Sequence, residues 1–417
     1  MMRKPVLTIF YQFNPWNSTI GGIQTLIRLF IKYAPNDFEV RLVGTGDKGD
    51  KNIGEWQEAV FAGRPIKFLP LFALENDNVR NLIPTTVKYT AALLGRNFAS
   101  DFMHFHRLEP TLATWHWQGE KTLFIHNDIH AQMKAEGDKK AILWRRFPKI
   151  YFALESLLVR QFNQILSCNT KSAQFYQQHY PNLSDRIAYI KNSFDDEVFY
   201  PLHRDERASM KHELARKFAK KEQTKFILFA GRLHPQKDPV LLVQALSVMK
   251  KQLNSQSNEQ DVHLLIVGEG ELAPQLRDQI DNLGLTNSVT MLGALNQAEL
   301  ADLHRVCDVF ALSSAYEGLP LVALEALACG TPVVTTQTGE TPLLLTHDSG
   351  VVCNERTPEC IASALHQVLS KSNNFSQEAC TRVARPYAAR TVVNEVFADM
   401  LLIWSKKVRV LQEIPTN

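Results

Sequence analysis

Short apolar runs ending in Gly, His, Asn or Ser recur along this 417-residue chain, separated by segments of helical length. In the first half they are VLTIFYQF (6–13), VRLVGTG (40–46), IKFLPLF (66–72), FMHFH (102–106), TLFIHN (122–127) and QILSCN (164–169). In the second half they are KFILFAGRL (225–233), HLLIVGEG (263–270), VTMLG (289–293), DVFALSS (308–314) and PVVTT (332–336). Strands alternating with helices build βαβ units and parallel sheets. Two such series, on a chain longer than one core usually reaches, predict two α/β domains rather than one large sheet. The polar stretch 193–223 lies between them and sets the boundary near residue 200, giving domains over 1–197 and 198–392. The stretches 251–260 and 370–377 read as polar loops. Residues 390–408 have helical periodicity, with Val393, Val396, Phe397, Met400, Leu401 and Trp404 on one face.

Charge excludes some partners. A net charge of +3 is too balanced to point to nucleic acid. Residues 1–200 carry 24 Lys+Arg against 19 Asp+Glu, so the excess of positive charge lies in the first half. The six cysteines are scattered, with no Cys-x-x-Cys pair, and read as buried free thiols in a reducing cytosol. The N-terminal MMRKPVLTIFYQFNPWNS opens like a signal peptide, but its apolar run is short and β-rich, so a first strand is expected. No run of 18 apolar residues is present to span a membrane.

Ligands of open α/β sheets bind beyond the carboxyl ends of the strands, and the chemistry-bearing residues fall there. In DVFALSSAYEGLP, Pro320 is expected at the first helical position, and the helix start offers unpaired N–H groups to an anion. Glu317 precedes that start, Gly318 permits close approach, and Glu325 lies more than a turn inside the helix with its Cβ tilted back toward it. Each glutamate alone also reads as an ordinary charge on a helix. FAGRLHPQKDP presents Arg232 and Lys237 on a loop that suits a diphosphate, or that is merely a solvated basic turn. VGEGEL places Gly268 in a strand-to-helix turn, weak evidence by itself. Gly21 and Gly22 stand where a helix begins after the first strand and can admit a phosphate or sugar to the backbone. His126 ends a strand where it can meet a ligand or serve as a structural histidine. The set His104, His106, His126 and Asp128 also permits a metal-hydrolase reading, which requires converged geometry. In FMHFH both histidines face one side and Phe105 the other.

Taken in order, AGRLHPQKD, VGEGEL and YEGLPLVALEALACGTPVV resemble the C-terminal domain of retaining glycosyltransferases of family 4. The likeness is strongest over about 225–365 and extends more loosely to 1–200 through the Gly-Gly loop and His126. It implies the GT-B fold, two Rossmann-like domains facing across a cleft, with a helix at about 393–417 crossing back to the first domain. It implies that Arg232 and Lys237 bind the donor diphosphate, with the N–H groups of Gly318, Leu319 and Leu321 around Pro320 completing the cradle. Glu317 would contact sugar hydroxyls and the reacting face, Glu325 the ribose, Gly22 the donor phosphate and His126 the transferred sugar. Met291 and Leu292 would border the base. Two departures weaken inference about the donor. TGETPLLL (338–345) has Leu343 where the family has Glu, and Asp238 stands where Gly commonly follows the diphosphate Lys.

The expected reaction is transfer of a hexose, with glucose from UDP-glucose expected because UDP-hexoses are the commonest donors in the family. The acceptor is expected to be a glycan or lipid-linked, as in bacterial envelope or exopolysaccharide assembly. No metal or other cofactor is required, since cations and a helix start already face the phosphates. A glycoside hydrolase using Glu317 and Glu325, and a catalytically silent nucleotide-sugar-binding protein, are the rival readings. A cytoplasmic enzyme is expected. The stretch 138–162 interleaves Lys and Arg with aromatics, a pattern suited to peripheral contact with an anionic membrane or to a packed helix with a basic face.

Overall fold

The computed structural model describes residues 3–17, 21–74, 84–126, 147–255 and 261–413. It divides into two compact units. The described residues up to Asn192 and the returning segment from Ala389 form one; Ser193–Ala388 form the other.

Among its described residues unit 1 has eight strands. They are β1 (Val6–Phe10), β2 (Glu39–Gly46), β3 (Gln57–Phe61), β4 (Arg64–Ala73), β5 (Phe102–Phe105), β6 (Glu120–Ile125), β7 (Gln164–Ser167) and β8 (Ile187–Tyr189). Their order in the sheet is β3-β4-β2-β1-β5-β6-β7-β8, and among these described strands the β3–β4 pair alone is antiparallel. Ile9 pairs with Leu42 on one side and His104 on the other. The side-chain period of two splits the core: Leu7 and Ile9 pack with the helix Gly22–Lys32, while Phe10, Phe105 and Leu123 pack on the opposite face. The C-terminal helix Ala389–Glu413 belongs to this unit, with Val393, Phe397 and Met400 buried in the first of those clusters. Val396, Leu401 and Trp404 cover its margin, so the apolar face read from the sequence is the packed one.

Among its described residues unit 2 has six parallel strands: β9 (Lys225–Ala230), β10 (Val262–Val267), β11 (Val289–Gly293), β12 (Val309–Leu312), β13 (Val333–Thr336) and β14 (Gly350–Cys353). Their order, β11-β10-β9-β12-β13-β14, reverses direction between β9 and β12. Ile227 and Phe229 enter one core cluster, Phe226 and Leu228 the other, so both faces of the sheet are covered.

Three strands were not expected. The β3 edge alternates half-buried and exposed residues, β8 has three residues and β14 four. Several expected strands end earlier than the apolar runs, because their last residues turn into the loops that carry the site. The stretch 193–223 is not merely a polar spacer: it contains the helix Arg204–Lys217, and Phe194, Phe199, Leu214 and Ala215 join the second core. The helix Pro239–Ser255 runs through the first half of the loop expected at 251–260, whose remainder lies outside the described residues. Five of the six free cysteines are buried; Cys360 is half-buried, contrary to expectation.

Candidate active site

Unit 2 gathers its site at the carboxyl edge of the sheet, on both sides of the β9/β12 reversal, where the crevice of an open α/β sheet forms. The loop after β9 carries Arg232 and Lys237. The Lys237 ammonium lies 2.5 Å from Glu317 Oε1 on the loop after β12. Ser314 Oγ donates to the same oxygen at 2.6 Å. Gln236 ties the two loops again: its carbonyl accepts from the Ala315 N–H at 2.8 Å, and its side-chain amide donates to the Tyr316 carbonyl at 3.1 Å. Arg232 is exposed, with no ion-pair partner for its guanidinium among the described residues.

Glycines allow these loops to touch. Gly268, after β10, has φ +127°, and a Cβ there would stand 2.0 Å from the Gly231 carbonyl oxygen. Gly339, after β13, has φ +68°, and a Cβ there would stand 2.2 Å from the Gly318 oxygen. The same Gly318 oxygen accepts the Glu340 N–H at 2.9 Å, so the close approach expected at Gly318 is made by the loop after β13.

Pro320 caps the helix Leu321–Ala328 from outside, one residue earlier than the first helical position expected of it. Its φ of −68° and ψ of 124° are extended, because the turn into the helix is completed only at Leu321. Leu319, Pro320 and Leu321 are buried. Glu325 is 5% exposed on that apolar helix, and its Oε2 has no hydrogen-bond partner among the described residues. Burial, with the neighbouring carboxylate of Asp195 adding to it, pushes the Glu325 carboxyl up to about 8. Asp195 is itself 1% exposed and comes from the start of unit 2; its polar sequence context gave no sign of this burial. Glu340 is 4% exposed in the TGET loop, whereas Leu343, at the position where the family has Glu, is 66% exposed and supplies no charge.

Met291 and Leu292 lie in β11, half-buried, and pack against opposite core clusters. Alternation along the strand therefore leaves only one of the two side chains on any one face of the sheet.

In unit 1, Gly21 caps the helix Gly22–Lys32, and its carbonyl accepts the Thr25 N–H at 2.9 Å. His126 follows β6, and both of its ring nitrogens face protein groups: Nε2 is 2.9 Å from His106 Nδ1, and Nδ1 is 3.8 Å from Cys168 Sγ. Burial, with Arg107 nearby, lowers the His126 ring to about 3, so it is neutral. His104 packs between Phe30 and Phe124, on the side opposite Phe105. His106 and His126 stack on one another and on Phe124, while His104 meets Phe124 and Phe30 at steep angles. Among the described residues no three His, Cys, Asp or Glu side chains converge as a metal set; Asp128, the fourth member of the metal-hydrolase reading, lies outside them. Of the stretch 138–162, the described part includes the helix Pro148–Leu158. It buries Tyr151, Glu155 and Leu158 and leaves Ile150 and Leu157 exposed, with Phe147 before it. No helix among the described residues is long and apolar enough to cross a membrane.

Residues 210–385 match the family described as glycosyl transferases group 1. The match covers most of unit 2, including every loop described above at the edge of its sheet. Among curated relatives, an uncharacterized glycosyltransferase of Methanocaldococcus jannaschii is 28% identical over 224 residues, 53% of this chain and 55% of the relative. The D-inositol 3-phosphate glycosyltransferase of Segniliparus rotundus is 30% identical over 210 residues, 49% of this chain and 44% of the relative. The chain thus spans about half the length of the curated relatives it matches. The crystal structure of Anabaena Alr3699/HepE in complex with UDP and glucose has a TM-score of 0.68 at 16% identity, covering 95% of this chain and 99% of that one. That likeness extends over both units, and the fold is GT-B.

Proposed function

We propose that this chain is a retaining, metal-independent glycosyltransferase that moves a hexose from a nucleoside diphosphate donor, UDP-glucose in the first instance, to a glycan or lipid-linked acceptor. The observation that carries the reading is the meeting of Lys237, Glu317 and the start of helix Leu321–Ala328 across the strand reversal. The group 1 match over the same residues supports it, as does a structural neighbour that holds UDP and glucose.

Cleaving the anomeric C–O bond leaves positive charge on the sugar and one more negative charge on the departing diphosphate. Fixed donors aimed at that diphosphate are worth most in the transition state. Arg232 offers a planar fork and Lys237 a point charge, and the helix start adds its unpaired N–H groups. These groups can neutralise the diphosphate without a divalent ion. Before donor binds, Lys237 is held by Glu317. A diphosphate would draw the ammonium onto itself and release the Glu317 carboxylate toward sugar hydroxyls. Glu325, neutral at low pH and only partly ionised near pH 7, can both donate to and accept from a ribose diol. Gly22 and His126 are assigned to donor phosphate and sugar by the resemblance, the histidine as a neutral ring. A cytoplasmic enzyme is proposed. The exposed Phe147, Ile150 and Leu157 beside Lys149 and Arg160 support peripheral contact with an anionic membrane, where a lipid-linked acceptor would lie.

The hydrolase alternative places Glu317 and Glu325 on opposite sides of a bond open to water. Glu325 is enclosed on an apolar helix and Glu317 is tied to Lys237, so that arrangement is disfavoured. Calorimetric titration with UDP, GDP, ADP and their glucose conjugates tests the proposal, with Glu325→Ala beside wild type. Selective binding of one diphosphate, weakened in the variant, is the expected result. Binding of none would overturn the reading.

A further inference from the structure

We infer that the ion pair between Asp238 and Arg356 is a positioning device for Lys237, and that it cancels the carboxylate next to that lysine in the chain. The inference rests on the diphosphate role proposed for Lys237 and explains how an Asp can stand where Gly commonly follows such a lysine.

Asp238 adopts φ +45°, a left-handed conformation that Gly takes freely and that costs an Asp about 1 kcal/mol. Three contacts hold it there. Its Oδ1 accepts the Leu241 N–H at 3.2 Å, capping the helix Pro239–Ser255. Its Oδ2 accepts from an Arg356 Nη2. Its carbonyl accepts from Ser313 Oγ at 2.7 Å. The same hydroxyl reaches the Lys237 carbonyl at 3.0 Å, and Arg356 Nε donates to the Ser313 carbonyl at 3.3 Å. The Lys237 and Asp238 N–H groups both donate to the His234 carbonyl, at 2.9 and 3.0 Å. The backbone that presents Lys237 is therefore clamped among the loops after β9, β12 and β14.

A bare carboxylate one residue from Lys237 opposes an anion at that site. Arg356 restores neutrality there. Its side chain is 38% exposed and that of Asp238 26%, so water and salt screen the effect and its size is modest. A Gly at 238 would need neither the strain relief nor the cation. The pair as a whole stands in for Gly, and Arg356 becomes dispensable once Asp238 is gone.

The test is calorimetric titration with whichever of UDP, GDP or ADP wild type binds best, on Arg356→Gln, Arg356→Lys, Asp238→Gly and the double variant Asp238→Gly/Arg356→Gln. Thermal melts verify that each variant folds. At low salt Arg356→Gln should weaken binding about three- to tenfold, with a smaller loss at high salt. Arg356→Lys should stay within about twofold of wild type, and the double variant should return to that range. Unchanged affinity in Arg356→Gln, or a double variant as weak as Arg356→Gln, overturns this inference and leaves the nucleotide reading intact. Absence of binding by wild type overturns both.

Discussion

Lys237 and Glu317, 80 residues apart in sequence, meet at 2.5 Å and join the loops after two adjacent strands of unit 2, β9 and β12. The side chains are 18% and 7% exposed, so the pair is largely withdrawn from water while remaining at the edge where a ligand would enter. A lysine held this way contributes to the fold as well as to the proposed diphosphate site.

That dual role separates it from Arg232. Both Lys237→Ala and Arg232→Ala should lower the transfer rate by about 10²–10³. Only Lys237→Ala strands a partly buried carboxylate, and it should also cost about 1–3 kcal/mol of stability, whereas the exposed Arg232 should leave melting unchanged. Steady-state rates and thermal melts on the two variants check this. Rates within a few-fold of wild type in either would remove that residue from the diphosphate site.

Glu325 gives the protein a stability that depends on pH. Its carboxyl is raised to about 8 in the fold, while an unfolded chain ionises it near the ordinary carboxylate value. Between those values the folded state holds the extra proton, so stability falls as pH rises through that window and levels off above it. Glu325→Gln should melt about 3–6 °C above wild type at pH 8.5, with a much smaller difference near pH 5. Equal melting differences at both pH values would show that the carboxyl is not raised.

His126 should remain uncharged throughout the working range. With its ring lowered to about 3, no step in activity between pH 5 and 8 should trace to it. Its ring-proton NMR shifts should stay flat over that interval. An inflection near pH 6.5 assigned to His126 would mean that its ring is open to water.

Gly268 and Gly284 offer a matched comparison. Both have positive φ, +127° and +64°, but a Cβ on Gly284 meets nothing within 4 Å, whereas one on Gly268 would collide with the Gly231 backbone. Gly284→Ala should cost about 1 kcal/mol, the backbone strain alone. Gly268→Ala should cost several times that and abolish nucleotide binding by displacing the Arg232 loop. Denaturant unfolding and calorimetry distinguish them; similar costs would mean that the loops yield easily.

The sequence was legible wherever local pattern decides structure. Apolar runs of four or more residues between helical segments gave both sheets, while β3, β8 and β14 escaped because they are short or lie at sheet edges with little apolar signal. The charged residues at strand ends were visible because strands expose their carboxyl ends to loops. Their partners were not. Arg356 reaches Asp238 from 118 positions away, and Asp195 perturbs Glu325 from the far end of the unit. Glu325 read either as a carboxylate tilted toward a ligand or as an ordinary charge on a helix; that the helix is buried on nearly every side, Glu325 included, is set by tertiary packing.

The interlocked glycines govern how preference for the proposed donor could change. Gly231 lies against Gly268 and Gly318 against Gly339, while Gly270 fits only because no Cβ meets the Leu233 carbonyl. Loops keyed to one another at the backbone cannot be exchanged singly, since a foreign loop arrives with the wrong counterpart. Transplanting specificity from another protein would require moving the segments 231–238, 268–272, 313–320 and 337–341 together. In natural lineages the same four should vary as one inherited block.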